Sequence, residues 1–292
     1  MNYITCIARF FILCIVAFNS ALCARTIVLS SHGLANTYRH VFNYVKTYKK
    51  DGETHYNDKF LFPCSYASFN YPDATDRFWR VNFWQTGFGQ KNEINALYAA
   101  YQKAVKWCAD RNEECKIILH GVSRGASNIA ILAGKYALDH VKAMIMESPY
   151  DSMDDVIENA MKSLHLEWLP LSYGQSAMES IFRKYRRNVD SPSIMIDKIQ
   201  KNMPILIICS KQDTRVPYQS SINLYKKLIN SGHEHAYILI LDYGQHDKIL
   251  CGPDGHKYQE VVHAFFKKYN LPHDPSIAAR GENNFSFCRP IF

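Results

Sequence analysis

The sequence predicts an α/β protein with a doubly wound, mostly parallel sheet of about six strands. Short apolar runs recur along the chain, and segments with helical periodicity lie between them. The runs are continuously apolar rather than alternating, which indicates strands buried on both faces, as in a parallel sheet. The candidate strands are residues 26–29, 60–62, 116–119, 143–146, 204–209 and 237–241.

Apolar residues spaced by three and four positions predict the intervening helices. Ile94, Leu97, Tyr101 and Cys108 form one such stripe. Alternating strands and helices imply right-handed crossovers with helices on both faces of the sheet, and functional groups then collect at the carboxyl ends of the strands. Three further helices are predicted over residues 126–137, 221–229 and 258–269.

One gap between predicted strands is too long for a simple crossover. More than fifty residues separate the strand that ends near Glu147 from the one that starts at Pro204. A connection of this length usually carries helices of its own, so we expect a helical cap insertion at about residues 151–202, and a surface insertion without a role is the alternative. The basic run at residues 183–187 favours either anionic or lipid-surface substrates or a solvated helix face.

The N-terminus has the layout of a secretory signal. Arg9 precedes the apolar run at residues 10–18, and small residues follow, with cleavage expected after Cys23 or Ala24. The run is shorter than the roughly 20 residues that span a bilayer. We therefore expect a secreted or periplasmic protein with a signal at 1–24, one domain at 25–292 and no stable membrane span. An uncleaved anchor and a buried first helix are the alternatives.

Composition excludes global disorder, because 47% of the residues are hydrophobic and 13% aromatic. The net charge of +7 is spread along the chain and does not indicate a nucleic-acid partner. Six cysteines follow the signal, and 15 pairings are possible for them. Cys108 with Cys115, and Cys251 with Cys288, are the candidate disulfides, whereas Cys209 fits a free thiol in the core. The sequence does not indicate an oligomeric state.

A candidate nucleophile follows the strand at 116–119. Gly121-Val122-Ser123-Arg124-Gly125 is a G-x-S-x-G motif between a predicted strand and a predicted helix. The serine must lie on a sharp turn that exposes its hydroxyl above the sheet. We expect glycines two positions before and after it because neighbouring backbone comes too close for a Cβ atom.

A serine nucleophile needs a base, and the base needs an orienting acid. Asp213 follows the strand at 204–209, and His246 follows the strand at 237–241. Taken alone, Asp213 fits a helix cap and His246 is one of twelve histidines. Together with Ser123 they place three suitable side chains after three strands in the order Ser, Asp, His, which predicts a catalytic triad.

The same pattern predicts two donors for a developing oxyanion. The backbone N–H of Arg124 lies at the start of the helix after Ser123. The first strand ends in Ser31-His32-Gly33-Leu34, and this His-Gly turn favours the N–H of Leu34 as the second donor.

These residues together resemble the α/β-hydrolase superfamily over about residues 26–269. Gly87-Phe88-Gly89 and the segments 147–153 and 212–217 are similar to small serine hydrolases that include bacterial esterases and eukaryotic depalmitoylating enzymes. The resemblance implies hydrolysis of an ester, thioester or amide through an acyl-enzyme, acting on a small or acyl substrate without a cofactor or metal. The full fold has a strand pair before the His-Gly strand that is missing here, which is why we expect about six strands.

Three other functions remain open at this point. A peptidase would need a carboxylate pair in the cap to hold a free amino terminus, and Glu158, Glu167 and Glu179 are the candidates. A non-catalytic binding module would be expected to lack part of the triad. A zinc hydrolase is disfavoured because His233-Glu234-His235 lacks the spacing of H-E-x-x-H and is expected in an exposed turn.

Overall fold

The computed structural model describes residues 24–74, 82–187 and 190–290. The strands are β1 (Ala24–Ser31), β2 (Thr47–Lys50), β3 (Glu53–Tyr56), β4 (Ser65–Ser68), β5 (Glu114–Val122), β6 (Val141–Glu147), β7 (Ile205–Ser210) and β8 (Ala236–Leu241). The helices are α1 (Lys91–Ala109), α2 (Arg124–Lys135), α3 (Met153–Ser163), α4 (Leu171–Ile181), α5 (Pro192–Met195), α6 (Tyr218–Asn230), α7 (Gly255–Lys268) and α8 (Pro275–Ser286).

The N-terminal segment expected to be a secretory signal lies outside the described residues, except for Ala24 at the start of β1. The signal and its cleavage therefore stay predictions. Within the described ranges, no helix is both long enough and apolar enough to cross a membrane.

The main sheet has six strands in the order β4-β1-β5-β6-β7-β8, and every neighbouring pair is parallel. This arrangement confirms the predicted doubly wound, parallel α/β fold. A separate antiparallel hairpin pairs β2 with β3. Its turn is Asp51-Gly52, where both residues have positive φ, as a tight hairpin turn requires.

Both faces of the main sheet are buried, and β7 shows how. Ile205, Ile207 and Cys209 pack into the core on the side of α1, α2 and α6. The alternating residues Leu206 and Ile208 pack on the opposite side, against α7. A strand covered on both faces needs apolar residues at every position, which explains the continuous apolar run in the sequence.

The predicted strand at residues 60–62 is wrong. Phe60, Leu61 and Phe62 are buried, but they lie in a loop in which the N–H groups of Leu61 and Phe62 both donate to the carbonyl of Tyr44. The edge strand is β4 instead, three residues further on. As an edge strand it is half-exposed and contains no long apolar run, so hydrophobicity did not reveal it.

Helices α3, α4 and α5 occupy the long connection between β6 and β7. Ser152 begins α3 by accepting the N–H of Asp155 on its hydroxyl, at 3.4 Å. Side chains of α3 and α4 form a third apolar cluster, which also includes Phe88, Leu34 after β1 and Val216 after β7. The two helices therefore cover the carboxyl ends of the sheet strands.

All six cysteines of the described chain are free thiols, so the structure contains neither candidate disulfide. Cys108 at the end of α1 and Cys115 at the start of β5 are both buried and interact with each other. Burial, with the neighbouring Cys108 thiol, raises the pKa of Cys115 to about 12. Cys209 is a buried core thiol, as expected.

Helix α8 was not predicted, although its N-terminus has a recognisable signal. Asp274 precedes Pro275, and its Oδ1 accepts the N–H groups of Ser276 at 3.0 Å and Ile277 at 3.2 Å. A carboxylate in this position satisfies two backbone donors that have no partner inside the helix, while proline suits the first helical position.

We expect Asp274→Ala to lower the free energy of unfolding by about 1 kcal/mol, because two N–H groups at the start of α8 lose their acceptor. Urea denaturation of the purified protein measures this. Asp274→Asn keeps a side-chain oxygen and should retain most of the stability. Equal losses in the two variants would contradict the capping role.

Candidate active site

Ser123 lies on a strained turn between β5 and α2. Its backbone has φ 55° and ψ −122°, and its N–H donates to the carbonyl of Glu147 at 2.7 Å. A Cβ at Gly121 would come within 2.5 Å of the Gly125 carbonyl oxygen, and one at Gly125 would overlap the carbonyl of Ser31. Both glycines are therefore required by close backbone approach, as the motif predicts. Strain of this kind is typical of functional positions.

His246 and Asp213 are bonded to each other beyond the ends of β8 and β7. The Nδ1–H of His246 donates to Oδ2 of Asp213 at 2.7 Å, and both residues are buried. Oδ1 of Asp213 accepts the N–H groups of Arg215 at 2.9 Å and Val216 at 3.0 Å. With Nδ1 protonated, Nε2 of the neutral imidazole is the acceptor.

The pKa of Asp213 lies below its usual value. Burial alone would raise this pKa, but the hydrogen bond and charge of His246 outweigh burial, with help from the N–H of Val216. The Asp213 carboxylate is therefore ionised at neutral pH, which is the state that can orient His246 and stabilise it when it becomes an imidazolium.

Four of the five predicted site residues line one pocket of about 210 Å³. Ser123, His246, Leu34 and Arg124 form part of its wall, and Asp213 lies behind His246. The pocket is otherwise mostly apolar. Its remaining lining residues are Gly33, Ala35, Asn36, Phe88, Tyr150, Met153, Val156, Arg215, Val216 and Asp247. A larger cavity of about 1110 Å³ runs along β4 and contains none of the predicted site residues.

Two buried side chains hold the carbonyl of Gly33, the residue before Leu34. Nε2 of His32 accepts the N–H of Tyr71 at 3.3 Å, so Nδ1 carries the proton and donates to Gly33 O at 2.8 Å. Burial lowers the pKa of His32 to about 3, which keeps its ring neutral. Nη2 of Arg124 reaches the same oxygen at 3.5 Å. Because a trans peptide points its C=O and N–H in opposite directions, fixing Gly33 O also fixes the N–H of Leu34.

A buried ion network lies behind Ser123, and no sequence pattern predicted it. The Arg124 guanidinium is almost fully buried and donates from Nη1 to Asp73 at 2.5 Å and to Glu93 at 3.1 Å. Burial would lower the pKa of Arg124, but the charges of Glu93 and Asp73 raise it above its usual value. The guanidinium is therefore permanently charged, and its two carboxylate partners compensate that charge.

The carboxylate of Glu93 also shapes the loop that precedes α1. It accepts the backbone N–H groups of Gly87 at 2.7 Å, Phe88 at 3.1 Å and Gly89 at 2.9 Å. These are the glycine-flanked residues that resemble other hydrolases, and Phe88 lines the pocket. Arg124 thereby connects the turn at Ser123 to the pocket wall. The sequence signal for this network is Arg124 itself, because a charged residue within an otherwise apolar motif needs charged partners.

Glu147 is a second buried ionisable group beside the site. Its carbonyl accepts the N–H of Ser123, and its Oε2 accepts the hydroxyl of Tyr258 at 2.9 Å. Burial raises the pKa of Glu147 to about 7, although hydrogen bonds from Tyr258 and Tyr44 oppose that rise.

Residues considered for other activities lie elsewhere or differ from expectation. His233 is in a turn after Gly232, as expected, but its side chain is 2% exposed, so the predicted exposed position is wrong. Its N–H donates to Leu228 O, which draws the residue against the end of α6. Glu179 pairs with Arg187 at 2.8 Å. Among the described lining residues, the pocket's carboxylate is Asp247, and neither Glu158 nor Glu167 lines it.

The structure combines a parallel sheet, a strained turn at Ser123 and the Asp213–His246 pair beyond the last two strands. This combination defines a member of the α/β-hydrolase superfamily. Residues 89–271 match the model of the prolyl oligopeptidase family, and the chain belongs to this family.

A curated relative shows detectable sequence similarity. The uncharacterized protein YqkD of Bacillus subtilis (strain 168) is 27% identical over 188 residues, which are 63% of this chain and 56% of YqkD. The chain thus spans just over half the length of that curated relative.

Two solved structures show the likeness in three dimensions. The esterase Pf2001 of Pyrococcus furiosus superposes with a TM-score of 0.56 at 16% identity, covering 84% of this chain and 83% of the esterase. The acylaminoacyl peptidase of Pyrococcus horikoshii gives a TM-score of 0.57 at 16% identity, covering 88% of this chain and 38% of the peptidase. At this identity the likeness concerns the fold.

We expect Arg124→Met to lower the free energy of unfolding by about 3–5 kcal/mol, because it leaves Asp73 and Glu93 buried without a compensating cation. Urea denaturation at pH 7 measures the change. Arg124→Lys keeps the charge but not the planar set of donors and should lose less. If methionine were as stable as arginine, the ion network would not support the fold.

The buried carboxyl of Glu147 predicts a pH dependence of stability. With its pKa raised from 4.5 to about 7, the folded chain binds this proton more tightly than the unfolded chain does. The resulting stabilisation is complete below pH 4.5 and is lost as the pH rises through about 7. It amounts to about 3 kcal/mol.

Glu147→Gln should remove this contribution while keeping an acceptor for Tyr258. The free energy of unfolding, measured in urea between pH 5 and pH 8, should then decline less with pH than in the wild type. Glu158→Gln, at an exposed position of α3, is the matched control and should leave the profile unchanged. If the free energy of unfolding depended on pH identically in the wild type and in Glu147→Gln, the raised pKa of Glu147 would be ruled out.

Proposed function

We propose that this protein is a serine hydrolase that cleaves an ester or thioester of a small or acyl substrate. Ser123 is the nucleophile, His246 the general base and Asp213 the residue that orients the imidazole. The observation that carries the proposal is the 2.7 Å hydrogen bond from His246 Nδ1 to Asp213 Oδ2, in a pocket that Ser123 and His246 both line.

The first half-reaction forms an acyl-enzyme. His246 Nε2 takes the proton from the Ser123 hydroxyl as Oγ attacks the substrate carbonyl, and the ionised Asp213 stabilises the imidazolium. The oxyanion accepts hydrogen bonds from the N–H groups of Leu34 and Arg124. His32 and the Arg124 side chain hold the Gly33–Leu34 peptide in place before the reaction begins, so little reorganisation is needed.

The first half-reaction ends when the tetrahedral intermediate collapses. His246 gives its proton to the leaving alcohol or thiol, which departs and leaves the acyl group bonded to Ser123. In the second half-reaction, water takes the place of the leaving group, loses a proton to His246 and attacks the acyl carbon. The acid product leaves, and Ser123 recovers its proton.

The pocket wall supports an ester or thioester with a compact apolar acyl group. Apolar side chains from three separate segments of the chain line it, including Phe88, Met153 and Val216. A peptidase that grips a free amino terminus would need an available carboxylate. Asp247 instead lies 4.0 Å from the Arg215 guanidinium and 3.5 Å from the Asn36 amide.

Labelling with a fluorophosphonate and assays on a chain-length series of esters and thioesters test the proposal. We expect labelling in the wild type and its loss in Ser123→Ala. Turnover should fall about 10,000-fold or more in Ser123→Ala and by a similar factor in Asp213→Asn, because the latter holds the wrong imidazole tautomer. Ser180→Ala, at an exposed position of α4, should behave like the wild type.

Two results would change the assignment. Labelling that survives Ser123→Ala would place the nucleophile at another residue. Turnover of peptides without turnover of esters or thioesters would favour the peptidase alternative on the same triad.

A further inference from the structure

The cap carries a group of exposed apolar and basic residues, which we call the cap surface. Its apolar members are large side chains that a folded domain would normally cover. Trp168 is 75% exposed, Leu164 67%, Tyr173 63% and Ile181 51%. Arg183 and Lys184 follow α4 after one intervening residue, Phe182, and are also exposed.

Helix α4 presents a face that suits a weakly polar environment. It has no fully buried residue, and Tyr173, Ala177 and Ile181 recur every four positions on its exposed side. The serines between them turn their hydroxyls back to the helix. Ser176 donates to the carbonyl of Ser172 at 2.8 Å, and Ser180 donates to that of Ser176 at 2.9 Å. If this face of α4 moves out of water, the two serine hydroxyls keep their hydrogen bonds, so burying them does not leave unpaired polar groups.

The charge of this region is positive. Residues 162–187 contain five lysines and arginines but two glutamates. One of those glutamates, Glu179, is already paired with Arg187. The Arg183 guanidinium stacks over the ring of Trp84, which is itself 60% exposed, at 4.7 Å from the ring centroid. Cations and exposed aromatic rings are therefore adjacent.

We propose that the cap surface binds the surface of a bilayer that contains anionic phospholipid. Tryptophan and tyrosine beside aliphatic side chains suit the boundary between head groups and acyl chains, and lysine and arginine attract the anionic head groups.

Helix α3, which ends directly before Leu164 of the cap surface, also reaches the pocket. Val156 of α3 lines the pocket, and Nδ2 of Asn159, one turn later, donates to the carbonyl of Thr214 at 2.9 Å. A cap bound to a bilayer would therefore hold the pocket near lipid. Binding itself does not depend on the proposed hydrolysis and can be measured with Ser123→Ala.

Flotation with large unilamellar vesicles tests the inference. The probes are vesicles of phosphatidylcholine alone and of phosphatidylcholine with about 30% phosphatidylglycerol. We expect the full chain to float with the anionic vesicles at low salt and not with the neutral ones, and added salt should weaken binding. Each basic residue near the surface should contribute about fivefold, so Arg183→Gln with Lys184→Gln should weaken binding roughly 25-fold.

A separate variant tests the apolar residues of the cap surface, with a matched control elsewhere on the protein. Trp168→Ala should weaken binding to anionic vesicles by about tenfold. Phe287→Ala removes an aromatic side chain of the same 75% exposure from the end of α8 and should bind like the wild type. Thermal melts should show that all three variants fold, because the residues changed are exposed.

Several outcomes would overturn the proposal. These are no flotation with anionic vesicles at low salt, equal binding to neutral vesicles, or equal losses in Trp168→Ala and Phe287→Ala. A concentration-dependent dimer that Trp168→Ala abolishes, without vesicle binding, would identify a second copy of the chain as the occupant. Vesicle binding by Ser123→Ala, with neither esterase nor thioesterase activity in the wild type, would support this inference and contradict the proposed function.

Discussion

The guanidinium of Arg124 is the constraint on which much of the site depends. A permanent charge this deeply buried requires anionic partners, and Asp73 and Glu93 supply them. Through Glu93 the network holds three backbone N–H groups of the loop that carries Phe88, and through Gly33 O it reaches the peptide that joins Gly33 to Leu34. The side chain next to Ser123 thus contacts segments on both sides of the pocket.

The parts of the protein that the sequence predicted are those set by local patterns. Strands buried on both faces require continuous apolar runs, so β5, β6, β7 and β8 were evident. The motif at Ser123 could be recognised because its two glycines stand at fixed positions around the serine, although the close approach that requires Gly125 is to the distant Ser31. Asp213 and His246 could be named because each directly follows a strand whose end was already placed.

The parts that were missed depend on contacts between distant segments. Nothing local to Arg124 indicates that Asp73, 51 positions earlier, and Glu93, 31 positions earlier, complete its environment. The loop at residues 60–62 is apolar because it fills the core, not because it pairs in the sheet, and composition cannot separate these two causes. Two local signals were overlooked: the Asp51-Gly52 hairpin turn and the Asp274-Pro275 start of α8.

The two margins of the main sheet differ in a way that affects association between molecules. At the β8 margin, the N–H of Ile238 donates to the carbonyl of Cys288 at 2.7 Å, so the chain's own C-terminal segment occupies a position that an added strand would need. At the other margin, β4 is four residues long and uncharged, and in the described chain it pairs with β1 alone. Strand pairing between molecules is thus hindered at the β8 margin by the C-terminal segment and at the β4 margin by the short length of the strand.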